Sequence, residues 1–199
     1  MKVIILGGFL GSGKTTSLLQ FARYLVSISA PERVNKVAIL ENEVGEVGID
    51  DKVLATSGFA VSNLFAGCAC CTVSGEFTSA AKRIRDELAP EWLIIETTGI
   101  AYPASMRDNL SDALGLSSRI VVIADAKRWM RLRNAMGELV AAQVEGSNAV
   151  LINKCDLADE ATLAEIERDL RSIEPCTEIH RVSAKSEISA EVWQSACGQ

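Results

Sequence analysis

The ten residues GGFLGSGKTT, positions 7–16, constrain the fold of this 199-residue chain more than any other stretch. Gly8, Gly13, Lys14 and Thr15 satisfy the G-x-x-x-x-G-K-[ST] pattern, directly after the apolar run KVIIL and before a helix-like segment. Strand, loop and helix thus stand where a phosphate-binding loop requires them. Glycines let backbone N–H groups curl around a phosphate, and the following helix N-terminus adds partial positive charge. Lys14 is expected to reach the β and γ oxygens, and the Thr15 hydroxyl can ligate Mg²⁺. Gly8, Gly11, Ser12, Gly13, Lys14, Thr15 and Thr16 are the candidate phosphate-binding residues.

The rest of the chain reads as the fold such a loop needs. Short runs rich in Val and Ile recur at KVIILG, KVAILE, EWLIIE, RIVVIAD, AVLINK and EIHRVS, each followed by a longer segment of mixed polarity. That alternation predicts an α/β domain of three layers, the P-loop NTPase arrangement, with a mostly parallel sheet between helices. Helices are expected near residues 14–29, 75–89, 103–114, 127–145, 158–173 and 186–197, with Pro31, Pro90, Pro103 and Pro175 at their edges. The segment from Glu43 to Thr72 fits the alternation least well. A hydrophobic content of 48% can fill a real core, and one domain over residues 1–199 is expected.

The base that accompanies the phosphates is read from AVLINKCD at 149–156 and VSAK at 182–185. The Asp156 carboxylate can accept from both the ring N1–H and the 2-amino group of guanine. Adenine offers a lone pair at N1 and no amine beside it, so it would leave that acceptor unpaired. A site built around such donors discriminates by roughly 10⁴-fold, which favours GTP and GDP over adenine nucleotides. Asn153 is expected to tie this loop to the phosphate loop, the Lys154 stem to cover the base, and the Ala184 amide, flanked by Ser183 and Lys185, to meet guanine O6.

Two further stretches are candidates for sensing the γ-phosphate, ENEVGEVGID at 41–50 and IIETTG at 94–99. Gly99 would offer its amide to that phosphate, and Glu96, closing an apolar strand, would hold the Mg²⁺ shell through water. Asp125, closing IVVIAD, is the competing carboxylate. Ile100 follows Gly99 where small GTPases often carry a water-orienting glutamine, and no arginine can be assigned to the transition-state charge. Intrinsic turnover should therefore be slow, on the order of 10⁻³ s⁻¹ or below. Glu43 and Glu46 are the candidates for any further catalytic group.

Charge and cysteine usage narrow the setting. A formal charge of −6 with a single histidine argues against nucleic acid as a partner, since phosphate neutralisation needs a basic face. No apolar run approaches the roughly 20 residues of a membrane span and no signal-peptide pattern precedes the first strand, so a cytoplasmic protein is expected. In a reducing cytosol the cluster GCACC, with Cys68, Cys70 and Cys71, reads as a metal site or a redox centre before it reads as disulfides. Cys155, Cys176 and Cys197 read as core or surface residues, and His180 as structural.

In their order along the chain, GFLGSGKTT, NEVGEVGID, GCACC, ETTGIAYP and NKCD resemble the signature of the CobW-like branch of the CobW/HypB/UreG family, GTPases that deliver metals to enzymes and cofactors. The resemblance implies a GTPase whose C-x-C-C element binds a transition metal close to the nucleotide, with the two switch stretches linking metal occupancy to GTP state. Thiolates favour Zn²⁺ and Cu⁺ and accept Co²⁺ or Ni²⁺, while hard Mg²⁺ stays with Thr15. Cys68 and Cys70 can share one ion; the adjacent Cys71 turns differently and either completes the site or points elsewhere, and Glu43 and Glu46 offer oxygen ligands. The expected function is a slow GTPase and metallochaperone, zinc ahead of cobalt and nickel, serving a client metalloprotein or a cofactor-assembly protein. A nucleotide- or metal-dependent homodimer is a further expectation. The alternatives are a maturation factor for a cobalamin- or corrinoid-dependent system and a metal sensor with incidental GTPase activity. Many relatives also carry a C-terminal domain and a histidine-rich stretch, which are not expected in this chain.

Overall fold

The computed structural model describes residues 1–32, 34–41, 59–63 and 73–199. Within them lies a seven-stranded sheet in the order β3-β2-β4-β1-β5-β6-β7. The strands are β1 (Lys2–Gly7), β2 (Val37–Glu41), β3 (Phe59–Asn63), β4 (Trp92–Glu96), β5 (Ser118–Asp125), β6 (Ala149–Asn153) and β7 (Glu178–Arg181). All six pairings are parallel. The helices are α1 (Lys14–Ile28), α2 (Val73–Leu88), α3 (Pro103–Leu114), α4 (Trp129–Ala135), α5 (Gly137–Val144), α6 (Glu160–Ile173) and α7 (Ala190–Cys197).

A strand of a parallel sheet is covered on both faces, so near-continuous apolar runs are what such a sheet needs. β1 shows the division: Val3 and Ile5 join one core cluster, Ile4 and Leu6 the other. The first cluster takes residues of α2, α3, α5 and α6; the second takes Leu18, Phe21, Ala22 and Leu25 of α1 and Trp193 and Ala196 of α7. Side-chain alternation with period two therefore produces the three layers. β1 is central, paired in register with β4 (Leu6 beside Glu96) and with β5 (Gly7 beside Val122). The chain reverses its direction of growth across the sheet at this strand, and the crevice beyond the carboxyl ends there is where open α/β sheets bind ligands.

The six expected strands all form, and a seventh, β3, lies within the stretch that fitted the alternation least well. Two helical expectations are corrected. The stretch 127–145 is not one helix but two, because Met136 leaves helical geometry at φ −141 and ψ 48, next to Gly137. Glycine weakens a helix interior by about 1 kcal/mol relative to alanine, and here the break is closed by Arg133 Nη1 donating to the Gly137 carbonyl at 2.8 Å. The stretch 186–197 is helical only from Ala190, since Gln20 of α1 holds residues 184–188 as a loop. Its Nε2 donates to the Ala184 and Ser186 carbonyls and its Oε1 accepts from the Ile188 amide. Among the described residues no helix is long and apolar enough to cross a membrane.

His180 has the structural role its strand position predicted: on β7, its Nε2 meets Ser195 Oγ of α7 at 2.8 Å, and Ser195 also donates to Glu178. The stronger attachment of α7 is apolar. Phe21 of α1 is fully buried and stacks on Trp193 with ring centroids 4.8 Å apart and planes 14° from parallel. Phe21→Ala removes a buried aromatic ring and its stacking contact with Trp193, and should cost about 3–5 kcal/mol of unfolding free energy, read from urea denaturation.

Candidate functional site

Four chain segments meet at the carboxyl ends of β1, β4, β5 and β6. The loop after β1 begins at Gly8, where φ is +134 and an added Cβ would overlap the Ile123 carbonyl. Only glycine takes that conformation without strain. The loop ends at Gly13, φ +98, where a Cβ would run into Asn153 Nδ2. Between them Ser12 is buried and its Oγ has no hydrogen-bond partner among the described residues. Lys14 is buried at the first position of α1, and its ammonium reaches the Phe9 carbonyl at 3.4 Å across the loop. Thr15 and Thr16 are exposed at the same helix end, facing solvent where a ligand would approach.

Asn153, at the end of β6, is buried and all its polar atoms are used. Its Nδ2 donates to the Ser12 carbonyl at 2.7 Å, and its Oδ1 accepts from the Lys154 and Ala184 amides, both at 2.8 Å. The sequence placed Asn153 between the phosphate loop and the base-recognition loop, and the structure brings those segments together on this side chain. The Ala184 amide, expected to meet guanine O6, donates to Asn153 in this structure. Ser183 shapes the same loop, its carbonyl accepting from the Ser186 amide at 2.9 Å, and Lys185 is exposed beside it. Asp156 is exposed in the short 3₁₀ turn Cys155–Leu157. Lys154 adopts the left-handed conformation at φ 62, an uncommon state for a residue with a Cβ. It directs the ammonium to the Gly11 carbonyl at 2.7 Å and to Asp125 Oδ2 at 2.7 Å.

The two carboxylates that competed for the Mg²⁺ shell differ sharply in surroundings. Glu96 is buried with Oε1 at 3.3 Å from Thr15 Oγ1, beside the residue expected to ligate Mg²⁺. Asp125 is committed elsewhere: Oδ1 accepts from the Lys127 amide, and Oδ2 from Arg128 Nε and Lys154 Nζ. Burial pushes the Asp125 carboxyl up, but the hydrogen bonds and charges of Lys154 and Arg128 outweigh it and hold the group below the usual carboxylate range. Asp125 is an anchor for two cations; Glu96 is the carboxylate at the threonine.

Three contributors were not legible in the sequence. Arg128, three residues after Asp125, donates through Nη2 to the Leu10 carbonyl at 2.6 Å and lies against Gly11. Gln20 clamps the SAK loop to α1. Gln143 of α5 is buried and bonds both the phosphate loop and the turn after β4. A lone amide inside the apolar stretch LVAAQV was its one sequence signal. Gly99 lies where expected, close to the loop: an added Cβ would sit 2.8 Å from the Leu10 amide. Glu43, Glu46, Cys68, Cys70 and Cys71 lie outside the described residues. Among the described cysteines Cys155 is half-buried, Cys176 exposed and Cys197 buried, and the described residues contain no cluster of three or more metal-ligating side chains.

A central parallel strand that feeds a glycine loop, locked to a second loop by a buried asparagine, is the construction of a P-loop nucleotide-binding domain. The chain belongs to the CobW/HypB/UreG family, whose nucleotide-binding domain matches residues 2–181. It is 31% identical over 171 residues to the zinc chaperone YjiA of Escherichia coli K12, covering 81% of this chain and 51% of that protein. It is 28% identical over 217 aligned residues to the zinc-regulated GTPase metalloprotein activator 1 of Dictyostelium discoideum, covering 88% of this chain and 44% of that protein. The chain thus spans about half the length of the curated relatives it matches. In fold it resembles the Zn(II)-bound YjiA GTPase of E. coli, at TM-score 0.68 and 22% identity over 100% of this chain and 62% of that one. It also resembles the hydrogenase maturation factor HypB of Archaeoglobus fulgidus, at TM-score 0.70 and 20% identity over 97% of this chain and 86% of that one.

The depressed Asp125 carboxyl sets a pH dependence. Its native value lies below the unfolded value near 3.9, so its stabilisation is fully present above about pH 4 and is lost as pH falls through the native value. Asp125→Asn should be less stable than the parent at neutral pH and should show a smaller loss on acidification below about pH 4, measured by urea midpoints across a pH series.

Proposed function

We propose that residues 1–199 form a single GTPase domain that binds GTP and GDP with Mg²⁺, hydrolyses GTP slowly, and couples nucleotide state to the binding and delivery of a transition metal. The observation that carries the nucleotide half is the convergence on Asn153, which ties the phosphate loop at Ser12 to the Lys154 and Ala184 amides of the two base-recognition motifs. A phosphate loop alone is shared by many NTPases; one joined in this way to NKCD and SAK supports a guanine nucleotide.

In this reading Gly8, Gly11, Ser12 and Gly13 wrap the phosphates with backbone amides, and Lys14, buried at the helix start, supplies the positive charge at the β and γ oxygens. The buried Ser12 hydroxyl adds a donor inside the loop. Thr15 and Glu96, already within 3.3 Å of each other, would hold Mg²⁺, directly through the hydroxyl and through water at the carboxylate. Mg²⁺ would neutralise charge that develops between the β and γ phosphates. Gly99 faces the γ-phosphate from the turn after β4, while Asp156 accepts from the guanine N1–H and 2-amino groups. Arg128 is engaged by Asp125 and the Leu10 carbonyl, and Ile100 cannot orient water, so the domain stabilises the transition state weakly on its own.

The metal half of the proposal rests on Cys68, Cys70 and Cys71, with Glu43 or Glu46 as additional oxygen ligands. Zinc is the favoured cargo: thiolates suit it, and relatives of this chain carry the name zinc chaperone. The cytoplasm as the compartment, a client metalloprotein as the recipient, and a nucleotide- or metal-dependent homodimer as a working state belong to the same proposal. The reducing environment that free thiols need supports the first, and the names zinc chaperone and metalloprotein activator carried by relatives support the second.

Base selection is tested by calorimetry with GTP, ATP and XTP. The parent should prefer GTP, and Asp156→Asn should weaken GTP binding and move preference toward XTP, because an amide donates where the carboxylate accepted. Equal affinity of the parent for ATP and GTP would overturn the guanine reading. Coupling is tested by titrating Zn²⁺ against a competing chelator with GDP and with a non-hydrolysable GTP analogue. Coupling free energies of about 1–3 kcal/mol predict Zn²⁺ affinities differing about 5- to 150-fold, with metal shifting GTP affinity by the same factor. Replacing Cys68, Cys70 and Cys71 by Ser should leave GTP binding largely intact and remove both the metal and the coupling. Identical Zn²⁺ affinities in the two nucleotide states would remove the chaperone cycle.

A further inference from the structure

One buried side chain joins the two segments that a γ-phosphate would touch. Gln143 on α5 is 1% exposed. Its Oε1 accepts from the amide of Gly8, the first glycine of the phosphate loop, at 2.9 Å. Its Nε2 donates to the Gly99 carbonyl at 3.1 Å and to the Ala101 carbonyl at 2.8 Å. The turn it grips is closed on itself, the Ala101 amide donating to the Thr98 carbonyl at 3.1 Å. The same turn packs on the loop, with no room for a Cβ between Gly99 and Leu10.

We propose that Gln143 is a positioning residue that sets the Gly99 turn against the phosphate loop, so that the turn reads whether a γ-phosphate is present. The inference rests on the GTPase reading above. The glutamine amide is chemically suited to this and hard to replace. It must accept on one side and donate twice on the other, at a fixed separation, inside the protein. A buried donor or acceptor left unpaired costs more than the bond itself contributes, so the three contacts enforce one relative placement of turn and loop. With the Gly99 carbonyl held by Gln143, the peptide group following Gly99 cannot rotate freely, and the orientation of the turn's amides relative to the loop is set before any nucleotide arrives. GDP touches the loop but not the turn; GTP needs both. Gln143 should therefore matter to the difference between the nucleotides more than to either alone.

α5 ends at Val144, and after four intervening residues the chain enters β6, which carries Asn153. Gln143 thus sits on the helix that leads into the strand carrying Asn153.

Gln143→Glu separates positioning from mere packing. The carboxylate still accepts from the Gly8 amide and preserves the volume, but it faces the Gly99 and Ala101 carbonyls with an acceptor where a donor stood. Affinities for GDP and for a non-hydrolysable GTP analogue are measured by calorimetry alongside thermal melting, and kcat and KM for GTP are measured separately. The expected result is GDP affinity within about threefold of the parent and GTP-analogue affinity lower by about 10- to 100-fold, with kcat reduced more than KM rises. Gln143→Met, close in volume and uncharged, is used if the Glu variant does not fold; it also loses the Gly8 contact, so a small fall in GDP affinity is expected beside a larger fall for the GTP analogue. A GTP-to-GDP affinity ratio unchanged in the folded variant, or both affinities falling together, overturns the positioning role while leaving the GTPase reading in place. A parent protein that binds neither nucleotide overturns both.

Discussion

A single carboxamide, that of Asn153, holds the candidate site together. Three loops drawn from the ends of β1, β6 and β7 carry backbone groups that no sheet pairing can satisfy, and a buried amide or carbonyl without a partner is costly. Asn153 answers the Ser12 carbonyl and the Lys154 and Ala184 amides at once. This demand reaches back into the sequence: Gly13 must lack a Cβ because Asn153 Nδ2 occupies that space. Around this anchor a second tier of contacts consists of charges rather than amides. Asp125, buried at the end of β5, collects Lys154 and Arg128, and each of these reaches on to a loop carbonyl, Gly11 or Leu10. Breaking one partner of such a buried set is costly because the remaining charge is left unpaired.

The legible part of the molecule was the part fixed by local rules. Apolar runs of four to six residues and the glycine-lysine loop follow from backbone and burial requirements that act within a few positions, and the six strands so identified all form. β3 escaped because FAVSN is short and mixed in polarity. Its place at the outer position of the sheet, paired on one side to β2, makes little demand for a continuous apolar run. The break at Met136 escaped because helical periodicity continues across it, while the departure is a local one at Met136 beside Gly137. At the site, motif residues were visible and their supports were not. Arg128, Gln20 and Gln143 act at sequence separations of 118, 164 and 135 residues from the groups they hold, and only the lone amide of Gln143 in an apolar stretch leaves a local mark. Glu96 was preferred to Asp125 from the sequence alone, but the neighbours that distinguish them, Thr15 beside one and Arg128 and Lys154 beside the other, needed the third dimension.

The two carboxylates show how one fold gives chemically similar groups different tasks. Glu96 and Asp125 end adjacent regions of the same sheet, on either side of β1. On one side stands a threonine hydroxyl at a helix start; on the other stand a guanidinium and an ammonium. The Asp125 carboxylate is thereby committed to two cations of the protein itself, while Glu96 stands beside the threonine. Gln143 occupies the third approach, from α5, and carries no charge, so it can bridge loop and turn without perturbing either carboxylate.

The central place of β1 also sets an order of assembly on the ribosome. The first strand to emerge has no partner until β4, some ninety residues later, and lacks its other neighbour until β5 at Ser118–Asp125. The loop that follows it is not locked until Asn153, and the Asn153 carboxamide is not fully occupied until Ala184 arrives. Pairings this distant in sequence are slow to form and leave unpaired edges exposed meanwhile. A nascent chain would therefore acquire a complete nucleotide pocket only after Ala184 has been added, and nucleotide binding, which favours the folded state by mass action, would act as a late clamp on the whole sheet rather than as an early nucleus.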